Sequence, residues 1–98
     1  MNQDEFIKAL ANSYAECVAL AKDKNKDYST DDDACYNFRE FGSYGVLVRM
    51  SDKWSRIKIL SKKDPHVVSE KLKDTIQDFC NYLIIYGIIK EQEEQEKS

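Results

Sequence analysis

The sequence predicts an all-α fold: one domain over residues 1–98, built as a compact bundle of about four helices and completed by self-association. Two observations carry this expectation. Apolar residues recur at intervals of three and four through most of the chain, the spacing that gathers them on one helical face. Turn formers are scarce, with one proline and three glycines in 98 residues, too few for a sheet-rich chain with many tight turns. A chain this short buries only about 60–65% of its unfolded surface, so a second copy would complete its core.

The first helix is expected from about Asn2 to Lys24, where Phe6, Ile7, Leu10, Ala11, Tyr14, Cys17, Val18 and Ala21 form one stripe. Asp4 and Glu5 suit its positive N-terminal end. The segment KNKDYSTDDD that follows is rich in residues whose side chains bond to nearby backbone, and reads as a loop lined with oxygen donors. A short helix from Asp32 to Phe41 is expected to stop at Gly42, which can adopt the left-handed conformation that closes helices.

The third helix is the segment GVLVRMSDKWSRIKIL, whose Val46, Leu47, Met50, Trp54 and Ile57 share an arc of about 100°. Arg49, Lys53 and Arg56 make a basic stripe beside that arc. Pro65 in SKKDPH ends it, because proline lacks an amide hydrogen and moves Asp64 out of helical geometry. The fourth helix is expected from about Val67 or Ser69, with Leu72, Ile76, Phe79, Leu83 and Tyr86 as its inner face. Further along, Ile84, Ile85, Ile88 and Ile89 add a second apolar side, and a helix apolar on both sides must be enclosed. A second copy of the chain is the expected cover. The acidic tail, about residues 90–98, reads as a frayed and solvating end.

Composition narrows the classes of function. The chain is 42% hydrophobic and 34% charged, which places it among globular rather than disordered proteins. Its net charge of −3 argues against general nucleic-acid binding, which calls for a basic excess. Cys17, Cys35 and Cys80 are odd in number and widely spaced, and His66 is the single histidine, so neither a zinc site nor a disulfide framework is indicated. Reduced thiols, an acidic rather than basic N-terminus and apolar runs too short to span a bilayer point to the cytoplasm and away from membranes.

The most informative polar pattern lies on the fourth helix. Glu70, Asp74 and Asp78 are each four apart and project from one side, with Asn81 above them. Like charges stacked in this way repel by a few tenths of a kcal/mol per pair, so the column calls for a positive partner. Two partners fit: a divalent cation such as Mg2+, which prefers carboxylate oxygens and keeps several waters, or the basic stripe Arg49, Lys53 and Arg56. A solvated helix face is the third alternative.

GVLVRMSDKWSRIKIL followed by SEKLKDTIQDFCNY resembles the signature of the phage nucleotide-modification-associated domain family, which is similar to the all-helical MazG-like nucleotide pyrophosphohydrolases. KNKDYS upstream, and Asn37 with Phe38, fit the same pattern, so the resemblance spans about Lys24 to Tyr86. It implies a MazG-like helical fold and a nucleotide-binding domain, of phage type and so acting in a host cytoplasm. It also implies magnesium at Glu70, Asp74 and Asp78, a basic element at Lys53 and Arg56, and a ligand loop at Asp27 and Tyr28. With the residues read above, the candidate ligand-binding set is Asp27, Tyr28, Asn37, Arg49, Lys53, Arg56 and Asn81.

The sequence departs from the MazG-like enzymes at one place. Their second acidic pair, Glu-x-x-Glu on an earlier helix, is represented in the first helix by Glu16 followed three residues later by Ala19. Metal-assisted hydrolysis needs ligands that fix both the metal and the attacking water. Three functions stay open: a nucleotide-binding protein that sequesters a nucleotide or a host immune messenger, an active Mg-dependent pyrophosphohydrolase, and a structural oligomer whose charges are salt bridges.

Overall fold

A computed structural model describes residues 1–25, 38, 40–63, 66 and 68–97. The described residues are all-helical, with α1 at Gln3–Asn25, α2 at Gly42–Lys63 and α3 at Glu70–Lys97. The loop with Asp27 and Tyr28, Asn37, most of the short helix expected at Asp32–Phe41, and Pro65 lie outside them. None of the three helices is long and apolar enough to cross a membrane.

Helix starts follow from local chemistry. The Asn2 Oδ1 accepts the Glu5 amide at 2.8 Å, and the Ser69 Oγ accepts the Leu72 amide at 3.1 Å, so each side chain satisfies a first-turn donor that has no partner within its helix. The start of α2 is capped from a distance. Glu93, near the end of α3, accepts the Ser43 amide at 2.7 Å and the Ser43 hydroxyl at 2.8 Å, placing a carboxylate at the positive end of α2. The acidic tail is therefore more than a solvating end: α3 is helical to Lys97, and Glu93 ties it to α2.

Gly42 takes the expected left-handed conformation, with φ at 70°, and it opens α2; the short helix expected to end there lies largely outside the described residues. Its bare α-carbon also admits Glu93, whose Oε1 would stand 3.0 Å from an added Cβ.

Contacts between Ser43 and Glu93, and between Trp54 and Phe79, show that α2 and α3 run antiparallel as a hairpin. The inner face of α3 is Leu72, Thr75, Phe79, Tyr82, Tyr86 and Ile89, all buried or half-buried. The expected face had the right period and shared Leu72, Phe79 and Tyr86, but it included Ile76 and Leu83, which are exposed. The cause is Thr75. Its hydroxyl donates to the Lys71 carbonyl at 2.7 Å, so a polar residue sits in the seam with its donor satisfied inside its own helix. On α2 the seam holds Ser43, Val46, Met50 and Ile57, whereas Trp54 is half-exposed and lies tilted against Phe79 with ring centroids 6.0 Å apart.

The fully covered apolar core is small among the described residues, with Val46 and Ile89 each 1% exposed and Leu72 beside them in burial. Helix α1 meets α3 near Cys17 and Lys24 and buries no residue fully.

Substituting alanine at Gly42 and at Gly87 separates backbone strain from helix propensity. Gly42→Ala forces a left-handed alanine against Glu93 and is expected to lower unfolding free energy by about 1–2 kcal/mol. Gly87→Ala meets nothing within 4 Å and is expected to raise it by about 0.5–1 kcal/mol. Urea denaturation followed by circular dichroism measures both.

Candidate functional site

The acidic column and the basic stripe come together in part, around Asp78, with a lysine of α1 that neither pattern included. Asp78 is 4% exposed, and its carboxylate lies between two ammonium groups. Lys24 of α1 donates to both oxygens at 2.7 and 2.8 Å, and Lys53 of α2 stands 3.1 Å from Oδ2. All three helices thus converge on one carboxylate. The sequence anticipated Lys53 as a partner of the column but not Lys24. Its signal was present, since Lys24 continues the 3–4 spacing of Leu10, Tyr14, Cys17 and Ala21 along the inner stripe of α1.

The rest of the column is more open. Asp74 is about half-exposed and 3.6 Å from Lys24, and Glu70 lies exposed in the first turn of α3. Among the described residues no three carboxylate, histidine or cysteine side chains converge as a metal ion would require. The nearest cations to the column are protein ammonium groups.

Partial burial works against the Lys24 ammonium, but the hydrogen bond and charge of Asp78, with Asp74 adding, outweigh it and hold its pKa above the ordinary value. The sign follows from linkage: the stabilisation is complete below the unfolded value near 10.5 and fades as pH rises through the folded one.

Beside this junction opens a cleft of about 560 Å³. Its lining combines charged and polar groups, Lys22, Lys24, Arg49, Asp78 and Asn81, with apolar ones, Val18, Ile84, Ile85 and Ile88. Two aromatic rings, Phe38 and Tyr82, line it as well. Phe38 meets Tyr82 edge to face with centroids 6.1 Å apart, and the Arg49 guanidinium lies 5.2 Å from the Phe38 centroid. Such a planar cation over a ring keeps its donors directed outward.

Of the ligand-binding residues expected from sequence, Arg49 and Asn81 line this cleft. Asn81 has a further task, donating from Nδ2 to the Cys17 carbonyl at 2.9 Å and so fastening α3 to α1. Lys53 faces Asp78, and Arg56 lies exposed further along α2, outside the cleft. Asp27, Tyr28 and Asn37 fall outside the described residues, as do Tyr36 and Cys35. Cys17 and Cys80 are free thiols. Burial pushes the Cys17 thiol up, with Cys80 and Glu16 adding to the shift, so it stays protonated and weakly nucleophilic.

Comparison of the chain with protein families, with curated proteins and with solved structures gives no match. The resemblance to the nucleotide-modification-associated domain family accordingly rests on the residues quoted for it.

The two aspartates are expected to respond differently to neutralisation. Asp78→Asn leaves two ammonium groups facing an amide and is expected to cost about 2 kcal/mol, below the full buried-pair value because both lysines retain solvent. Asp74→Asn is expected to change stability by less than about 0.5 kcal/mol. In the wild type, the contribution of the Lys24 ammonium is expected to hold through neutral pH and to decline only above its ordinary value near 10.5, as read by unfolding from pH 7 upward.

Proposed function

We propose that this protein binds a nucleotide or nucleotide-derived small molecule in the cleft beside Asp78, acting as a homo-oligomer in the cytoplasm. The observation that carries this reading is the mixed lining of the cleft. Lys24 and Arg49 offer donors suited to phosphate oxygens, while Phe38, Tyr82 and the isoleucines offer flat and apolar surface suited to a base. An ordinary ligand cleft has this character, mostly apolar with a few convergent polar groups.

Binding without turnover is favoured over hydrolysis. The carboxylate that α1 offers in place of a second acidic pair is Glu16, and it is held by Lys73 at 3.2 Å and Gln77 at 3.0 Å, away from the cleft. A protein of this kind sequesters its ligand, as a phage product would when holding back a host nucleotide signal. Magnesium belongs to this reading only as a companion of the phosphates. Ligand oxygens and water would supply most of its coordination, with Asp74 as the accessible carboxylate.

Thermal unfolding in the presence of nucleoside mono-, di- and triphosphates, with and without magnesium, tests the proposal. A phosphate-dependent rise in Tm is expected, and Arg49→Ala should weaken binding by about tenfold or more through loss of a charge-assisted contact. Asp74→Asn should reduce only the magnesium-dependent part. If none of these compounds, nor a cyclic or dinucleotide, shifts Tm at millimolar concentration, the cleft is not a nucleotide site.

A further inference from the structure

The accessible surface of the chain is 7693 Å², whereas a folded monomer of 11.4 kDa is expected to expose about 5,800 Å². Its radius of gyration of 15.5 Å likewise exceeds the roughly 13 Å expected for a compact chain of this length. The difference in area, about 1,900 Å², is more than one partner contributes to a standard stable interface, about 800 Å².

Named residues locate an uncovered apolar face. Phe6, Ile7, Leu10, Tyr14 and Val18 of α1 are all exposed, and they share one arc of the helix. The face continues onto α3: Leu10, Tyr14 and Ile84 line one shallow groove, and Val18, Ile84 and Ile88 line the neighbouring cleft. Ile84 and Ile88 are exposed as well.

Charge along α1 selects the occupant and its direction. The first turn carries Asp4 and Glu5, and the last turn carries Lys22 and Lys24. Two copies of α1 laid antiparallel bring each acidic start beside the other's basic end, with the helix dipoles also opposed favourably. With Tyr14 near the twofold axis, Leu10 falls opposite Val18, and Asp4 falls near Lys22 on the same flank of the arc, so one patch is complementary to itself as a twofold interface requires.

We infer that a second copy of this chain covers the apolar face, with α1 packed antiparallel against its counterpart, and that it borders the mouth of the cleft at Val18 and Ile88. The inference deepens the homo-oligomeric part of the proposed function and is independent of the ligand.

Sedimentation equilibrium without nucleotide tests it. Wild type is expected at twice 11.4 kDa or a higher even multiple, and Leu10→Glu or Tyr14→Glu at a lower mass with undiminished helicity by circular dichroism. Tyr14 is 60% exposed in the single chain, so its replacement leaves the fold intact, and the helicity measurement guards the reading of the less exposed Leu10. Asp4→Lys and Lys22→Glu should each weaken association, and the double swap should restore it. A monomeric wild type would overturn both the inference and the homo-oligomeric reading. An oligomer indifferent to Leu10→Glu and Tyr14→Glu overturns the α1 interface alone, and an oligomer indifferent to both charge swaps overturns the antiparallel register.

Discussion

The arrangement of the three helices depends on how one buried carboxylate is neutralised. Asp78 sits where α1, α2 and α3 meet, and it is held by Lys24 at 2.7 Å and Lys53 at 3.1 Å. A carboxylate this well buried is costly unless paired, so α1 and α2 must each place a lysine there for α3 to pack. The attachment of α1 follows from the same point, since few apolar groups hold it. Its other ties are polar: Asn81 to the Cys17 carbonyl, and Glu16 to Lys73 and Gln77. A hairpin of α2 and α3 with a helix fastened mainly by directed polar contacts is the result. Directed contacts fix register and angle more tightly than apolar area does, and that geometry shapes the cleft between α1 and α3.

Much of the helical plan is legible because it is written in local terms. The spacing of apolar residues marks α1, α2 and α3, and Asn2 and Ser69 mark two of their starts within a residue or so. The phase of α3 is less legible, because periodicity treats Thr75 as a solvent-facing residue although its hydroxyl is satisfied within the helix. The tail misleads for a different reason. Nothing local distinguishes Glu93 from its acidic neighbours, and its role appears only when the antiparallel hairpin brings the start of α2 to it.

The site shows the same division. That the acidic column needs positive partners follows from repulsion within one helix, and Lys53 is among those the spacing suggests. That Asp78 alone of the three is buried does not follow, since it depends on where α1 crosses. Lys24 was obscured by its position at the end of an apolar stripe, where a lysine reads as the solvated last turn. In the fold its aliphatic stem continues the stripe while its ammonium reaches the carboxylate, as long cationic side chains commonly do. Arg49 illustrates the opposite case: the stripe places it with Lys53 and Arg56, but only Arg49 comes over Phe38 and into the cleft.

The polar junction and the bare face of α1 are two sides of one allocation. Residues 17–25 of α1 meet α3 through Cys17 and Lys24, whereas Phe6, Ile7, Leu10 and Tyr14 stay in large part exposed among the described residues. An amphipathic helix gains most of its stability from burying its apolar face rather than from intrinsic propensity. A first half left bare would gain nothing from that stripe, and Asn2 would cap a helix held only by its far end. The inferred second copy would cover it without disturbing the lysine pair, because the arc from Phe6 to Tyr14 and the Lys24–Asp78 contact occupy different lengths of α1. The α1 residues that line the cleft, from Val18 to Asn25, all belong to the length that meets α3, so the polar junction shapes the site while the first half of the helix stays clear of it.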